Sequence, residues 1–77
     1  MGSRARPSFG LRVFGQRLRS LRGTRGLSQE DLAAEAKLDR TYISGCERGL
    51  RNISLLNIFK LAKALRISPD VLLDIKL

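Results

Sequence analysis

The sequence has no histidine and no tryptophan, one cysteine, two prolines and only seven acidic residues. Each shortage closes off a class of function. Without histidine, the commonest general base and a principal zinc ligand are both missing. A metal site would have to be assembled from carboxylates and a lone thiol. With Cys46 as the single cysteine no intrachain disulfide can form, and such a residue fits a reducing compartment. No apolar run approaches the ~18 residues that span a bilayer, and the first residues lack the apolar stretch of a secretory signal. An enzyme, a metal centre, a cofactor and a membrane span are therefore not expected, and a cytoplasmic location is.

The chain is also short, at 77 residues. A domain of this size buries only about 60% of its unfolded surface, and small domains gain stability from disulfides, metals or association. With the first two excluded, association remains.

What the sequence has is positive charge: 15 Lys and Arg against 7 Asp and Glu, a formal +8. Such an excess calls for an anionic partner, either nucleic acid or an acidic membrane surface. Seven arginines and no acid fall in residues 1–25, and four of the seven acids fall between Glu30 and Asp39. An arginine-rich, acid-free start with serines is also the composition of an organellar transit peptide. Here, however, the arginines run directly into a helical pattern.

One punctuation recurs four times. An apolar residue is followed by Ser or Asp, and a second apolar residue stands five positions after the first. The sets are Leu27–Ser28–Leu32, Leu38–Asp39–Ile43, Ile53–Ser54–Ile58 and Ile67–Ser68–Leu72. This is the hydrophobic staple around a helix N-cap. Ser28 has Asp31 at the capping-box position, and Pro69 stands where a first helical residue needs no N–H. A further helix precedes these, with Phe14, Leu18 and Leu21 at i, i+4 and i+7, and with Arg12, Arg17, Arg19 and Arg22 largely on other faces. Gly23 and Gly26 should end it, as Gly49 should end the third helix and Arg66 the fourth. The pattern predicts an all-α, five-helix bundle with helices near 11–24, 28–37, 39–48, 54–65 and 68–75. Residues 1–10 read as a basic arm and residues 11–77 as one domain.

Only Lys37, Leu38 and Asp39 separate the second and third helices, a spacing that forces a steep crossing and a helix-turn-helix. Such a unit needs a small residue where its helices touch, which Ala33 supplies. Its inward positions are filled by Leu32, Ala36, Leu38, Ile43 and Cys46. The first turn and a half of the third helix carries Arg40, Thr41, Tyr42 and Ser44. The N-terminal end of a recognition helix is the part that meets base edges. Arginine suits guanine O6 and N7, and a threonine methyl suits that of thymine.

The run from Leu27 to Glu47, with Leu-Ser-Gln-Glu-Asp-Leu-Ala, Leu-Asp-Arg-Thr-Tyr-Ile-Ser-Gly and the following Glu-Arg-Gly, resembles the Cro and phage-repressor type of helix-turn-helix, the XRE family. Arg51-Asn52, Ser54 and Leu61-Ala62-Lys63-Ala64-Leu65 extend the likeness to roughly residues 11–75. Within that family the recognition stretch is most similar to restriction–modification controller proteins. The resemblance implies a lambda-repressor-like fold and a transcriptional regulator on double-stranded DNA, with antitoxin-type regulators as the alternative. It implies phosphate contacts for Gln29, Arg48, Arg51 and Asn52, and base reading for Arg40, Thr41, Tyr42 and Ser44. It also implies a structural ion pair between Arg22 and Glu47. Two positions depart from the family pattern: Lys37 stands where glycine is frequent, and Cys46 where Ile or Leu is usual.

The last segment holds Val71, Leu73, Ile75 and Leu77 beside the staple residue Leu72. So many apolar side chains cannot all enter so small a core, which points to a homodimer interface there. A dimer would set two recognition helices about 34 Å apart, on a pseudo-palindromic site, with two dimers side by side as a further possibility.

Overall fold

In the computed structural model, which describes residues 7–77, five helices follow in the order α1 (Pro7–Thr24), α2 (Gln29–Ala36), α3 (Arg40–Glu47), α4 (Leu55–Leu65) and α5 (Pro69–Leu72). Among the described residues there is no strand. No helix there is long and apolar enough to cross a membrane.

The four staples set four helix starts. Ser28, Asp39, Ser54 and Ser68 are the N-caps of α2 to α5, each with extended backbone. Ser28 and Asp31 close a full capping box, with each side chain accepting from the other's backbone N–H at 2.9 and 3.0 Å. Hydrogen bonding from Ser28, its backbone N–H foremost and its side chain second, holds the Asp31 carboxyl below its ordinary pKa. Ser54 Oγ accepts from Asn57 N at 3.1 Å, whereas Ser68 makes no side-chain cap bond and relies on Pro69. The inner staple residues Leu32, Ile43, Ile58 and Leu72 are buried. Their partners Leu27, Leu38, Ile53 and Ile67 pack against the same core.

Two helix boundaries differ from the sequence expectation. α1 begins at Pro7 rather than near residue 11, so Pro7–Gly10 is helix and not arm. A proline at the first helical position has its φ preset and lacks an N–H that would go unpaired anyway. The rest of the expected arm, residues 1–6, lies outside the described residues. α5 stops at Leu72 rather than near residue 75. In a longer helix the Val71 carbonyl would accept from Ile75 N; here it accepts from Arg17 Nε at 3.1 Å and Nη2 at 2.9 Å and from Asp74 N at 3.3 Å, while Ile75 N donates to Leu73 O at 2.8 Å.

Phe14 and Leu18 of α1 share one core with buried residues from every other helix, Leu61, Ala62 and Leu65 of α4 among them. The backbones of α1 and the end of α3 approach closely. A side chain at Gly15 would strike the carbonyls of Cys46 and Glu47, and one at Gly49, where φ is +75°, would strike the backbone of Arg12. Three basic residues of the first segment act as internal struts. Besides Arg17, Arg25 Nη1 donates to the Leu65 carbonyl at the end of α4 at 2.8 Å, and Arg22 Nη1 donates to the Leu27 carbonyl at 2.8 Å. Cations at helix C-termini also offset the helix dipole.

Candidate nucleic-acid interface

α2 and α3 are joined by a three-residue turn, Lys37 to Asp39. Lys37 takes the left-handed conformation, with φ 57° and ψ 45°. Its N–H donates to Ala34 O at 3.3 Å and Leu38 N to Ala33 O at 2.9 Å, so the turn closes around a residue that bears a side chain. Beneath the crossing lie Ala33 and Ala36, both buried.

α3 separates its faces cleanly. Ile43, Gly45, Cys46 and Glu47 are buried, while Arg40, Thr41 and Arg48 are exposed and Ser44 is half-buried. Arg40, Thr41, Ser44, Gly45, Arg48 and Arg51 line one shallow depression along the helix. Arg40 also borders a second depression with Arg22, Ser28, Gln29 and Glu30 at the start of α2. The N-termini of α2 and α3 and the Arg51 loop therefore form one surface. Its exposed cations are Arg40, Arg48 and Arg51, and Asn52 stands exposed beside Arg51. Helix N-termini favour anions through their free N–H groups and dipole.

Behind this surface Glu47 is held by three bonds. Arg22 Nε donates to its Oε2 at 2.6 Å, Arg22 Nη2 to its Oε1 at 3.0 Å, and Gln29 Nε2 to the same Oε1 at 3.0 Å. The Glu47 side chain is 3% exposed and that of Arg22 15%. Hydrogen bonding to Glu47 raises the Arg22 pKa against the opposing effect of burial. A bidentate pair of this geometry locks α1 to α3, and it keeps the one acid of α3 neutralised and away from the surface. Gln29 is drawn into the pair by one amide hydrogen, which leaves its other donor for a ligand.

Tyr42 differs from its neighbours. It is half-buried, and its hydroxyl accepts from Asn57 Nδ2 on α4 at 3.0 Å. Arg51 lies over its ring, with Cζ 5.5 Å from the centroid. Burial is the foremost reason that its pKa is raised. Burial also pushes up the Cys46 thiol, which makes it a poor nucleophile in the folded state.

The structure changes the C-terminal expectation in part. Ile75 packs on the core and Val71 is half-buried, so Leu73 and Leu77 are the exposed members of the set. A second exposed apolar group was missed by the sequence reading: Leu55, Leu56 and Phe59, at 62%, 63% and 47% exposure, on the outer face of α4. Its signal was present, since these three lie off the buried stripe of Ile58, Leu61, Ala62 and Leu65. Asn57 was missed as well, because its partner is on another helix.

A short helix, a three-residue turn and a second helix with a basic, exposed N-terminal half define a helix-turn-helix domain. The helix-turn-helix family profile matches residues 18–72, and the chain belongs to that family, in its XRE-type branch of DNA-binding transcription regulators. Control protein C.BamHI of Bacillus amyloliquefaciens is 54% identical over 63 residues, covering 80% of this chain and 78% of that protein. Among solved structures, the restriction–modification controller protein C.AhdI from Aeromonas hydrophila has a TM-score of 0.80 at 61% identity. That match covers 80% of this chain and 94% of C.AhdI. Controller protein C.Esp1396I, solved as a tetramer on its natural 35 base-pair operator, has a TM-score of 0.79 at 38% identity, covering 86% and 87% of the two chains.

Proposed function

We propose that this protein is a sequence-specific, DNA-binding transcriptional regulator of the restriction–modification controller kind, acting in the cytoplasm as a homodimer on a pseudo-palindromic operator. The observation that carries the reading is the single surface formed by the N-termini of α2 and α3 with the Arg51 loop. Arg40, Thr41 and Ser44 of α3 face base edges in the major groove, with Tyr42 beside them. Gln29, Arg48, Arg51 and Asn52 meet phosphates around them. Phosphate contacts supply affinity and register, and base contacts supply sequence choice.

The relatives support this reading over an antitoxin, since C.BamHI, C.AhdI and C.Esp1396I are all control or controller proteins. The second copy docks on exposed apolar side chains of α4, Leu55, Leu56 and Phe59, with Leu73 from the segment that packs beside it. Burying one such side chain contributes about 1.5–3 kcal/mol, so a two-fold interface that buries each of them twice supports a dimer. Two dimers side by side on a longer operator would match the tetramer of C.Esp1396I.

Selection of bound duplexes from a random pool tests the proposal. A two-fold site should emerge, and Arg40→Ala should cost about 1–3 kcal/mol on that site and relax choice at one position of each half. Failure to enrich any site, or unchanged affinity of the Arg40→Ala protein for the enriched one, would count against it.

A further inference from the structure

We infer that Tyr42 and Arg51 form one recognition element, and that Gly45 and Asn57 are its positioning residues. The inference rests on the DNA-reading role proposed above. It begins with how Arg51 is held. Among the described residues Arg51 forms no salt bridge. Its side chain instead crosses α3, with the guanidinium over the Tyr42 ring and the stem over Gly45. A cation on an aromatic face is attracted by the ring quadrupole. The several N–H donors at the guanidinium edge remain open to an adjacent base edge as well as to the phosphate assigned to Arg51 above, and it is the base-edge bond that the ring and Gly45 aim.

Both contacts depend on a residue with no other evident task. The ring is pinned at its far end by Asn57 Nδ2, 3.0 Å from the Tyr42 hydroxyl. Asn57 is itself fixed at the start of α4 by the Ser54 cap on its backbone N–H. Beneath the stem, a Cβ on Gly45 would lie 2.8 Å from Arg51 Cγ, 3.2 Å from Nε and 3.5 Å from Cδ. Any side chain there lifts Arg51 from its seat. Glycine is a poor helix former, so its presence mid-helix is matched to the passage of the arginine. The recognition surface therefore carries a pre-ordered guanidinium in place of a freely rotating one.

The test uses the full chain, its selected operator and a scrambled duplex of equal length, with affinities read at one salt concentration. Asn57→Ala and Tyr42→Phe should each lower the preference for the operator by about three- to tenfold, the range of one neutral hydrogen bond. The double variant should lose no more than either single one. Gly45→Ala and Arg51→Ala should behave as a second such pair. Alanine favours helix, so the Gly45→Ala protein should unfold no earlier than the parent, and its loss of selectivity is then not loss of fold. Losses that add in the double variants, or that fall equally on the scrambled duplex, would overturn the positioning roles. A parent protein without preference for any duplex would instead remove the DNA-reading proposal on which they rest.

Discussion

Lys37 carries a conformational cost that the rest of the turn absorbs. Its φ of 57° crowds Cβ against the backbone, which costs an L-residue roughly 1–2 kcal/mol. The backbone bonds from Lys37 and Leu38 into the end of α2 hold it there regardless. Lys37→Gly should raise stability by up to about 1 kcal/mol, because glycine takes the left-handed region freely but loses more entropy on folding. Thermal unfolding measures this; a lower midpoint would show that the lysine side chain contributes more than the strain. Arg66 repeats the situation at the end of α4, with φ 59°. At this scale much was legible. Ser28, Asp39, Ser54 and Ser68 could be read as caps because a staple is a matter of six consecutive positions. The pose of Tyr42 could not be read, because its hydroxyl answers to Asn57, fifteen residues on.

At the scale of elements, α1 serves as the bracket that aims the recognition helix. Gly15 lets the end of α3 lie against α1, and a Cβ there would fall 2.5 Å from the Glu47 carbonyl oxygen and 2.8 Å from its carbon. Neither is a flexible side-chain end, so the helices would have to part. Gly15→Ala should destabilise by on the order of 3 kcal/mol, the upper range for overpacking. Gly23 is an internal control in the same helix, with nothing within 4 Å of an added Cβ. Gly23→Ala should stabilise by about 0.5–1 kcal/mol through helix propensity alone. Denaturant unfolding of the two variants should thus give shifts of opposite sign, and a common sign would remove Gly15 as the seat of α3. The order of helices was legible from local pattern, and so was the helix-turn-helix. The end of α5 was not, since the Val71 carbonyl there is shared with Arg17 from the far side of the chain.

The whole molecule divides its charge between two tasks. Of the cations in the first segment, Arg17, Arg22 and Arg25 are committed to carbonyls and to Glu47. The formal +8 therefore overstates what is free to meet phosphates. In the proposed dimer the free excess and the apolar face of α4 act together, because each protomer brings its own recognition surface. Leu56→Glu should give monomers by sedimentation, with the operator bound far more weakly and a shallower dependence on salt, because fewer phosphates are engaged at once. A dimer that survives this change would move the interface away from α4.

The arginine struts have a bearing on synthesis. Arg17 of α1 and Arg25 just after it bond to carbonyls 54 and 40 positions further along the chain, in α5 and at the end of α4. Contacts of such sequence separation form only after their loops close. A chain synthesised only as far as α3 lacks both carbonyl partners, so these bonds are among the last to form.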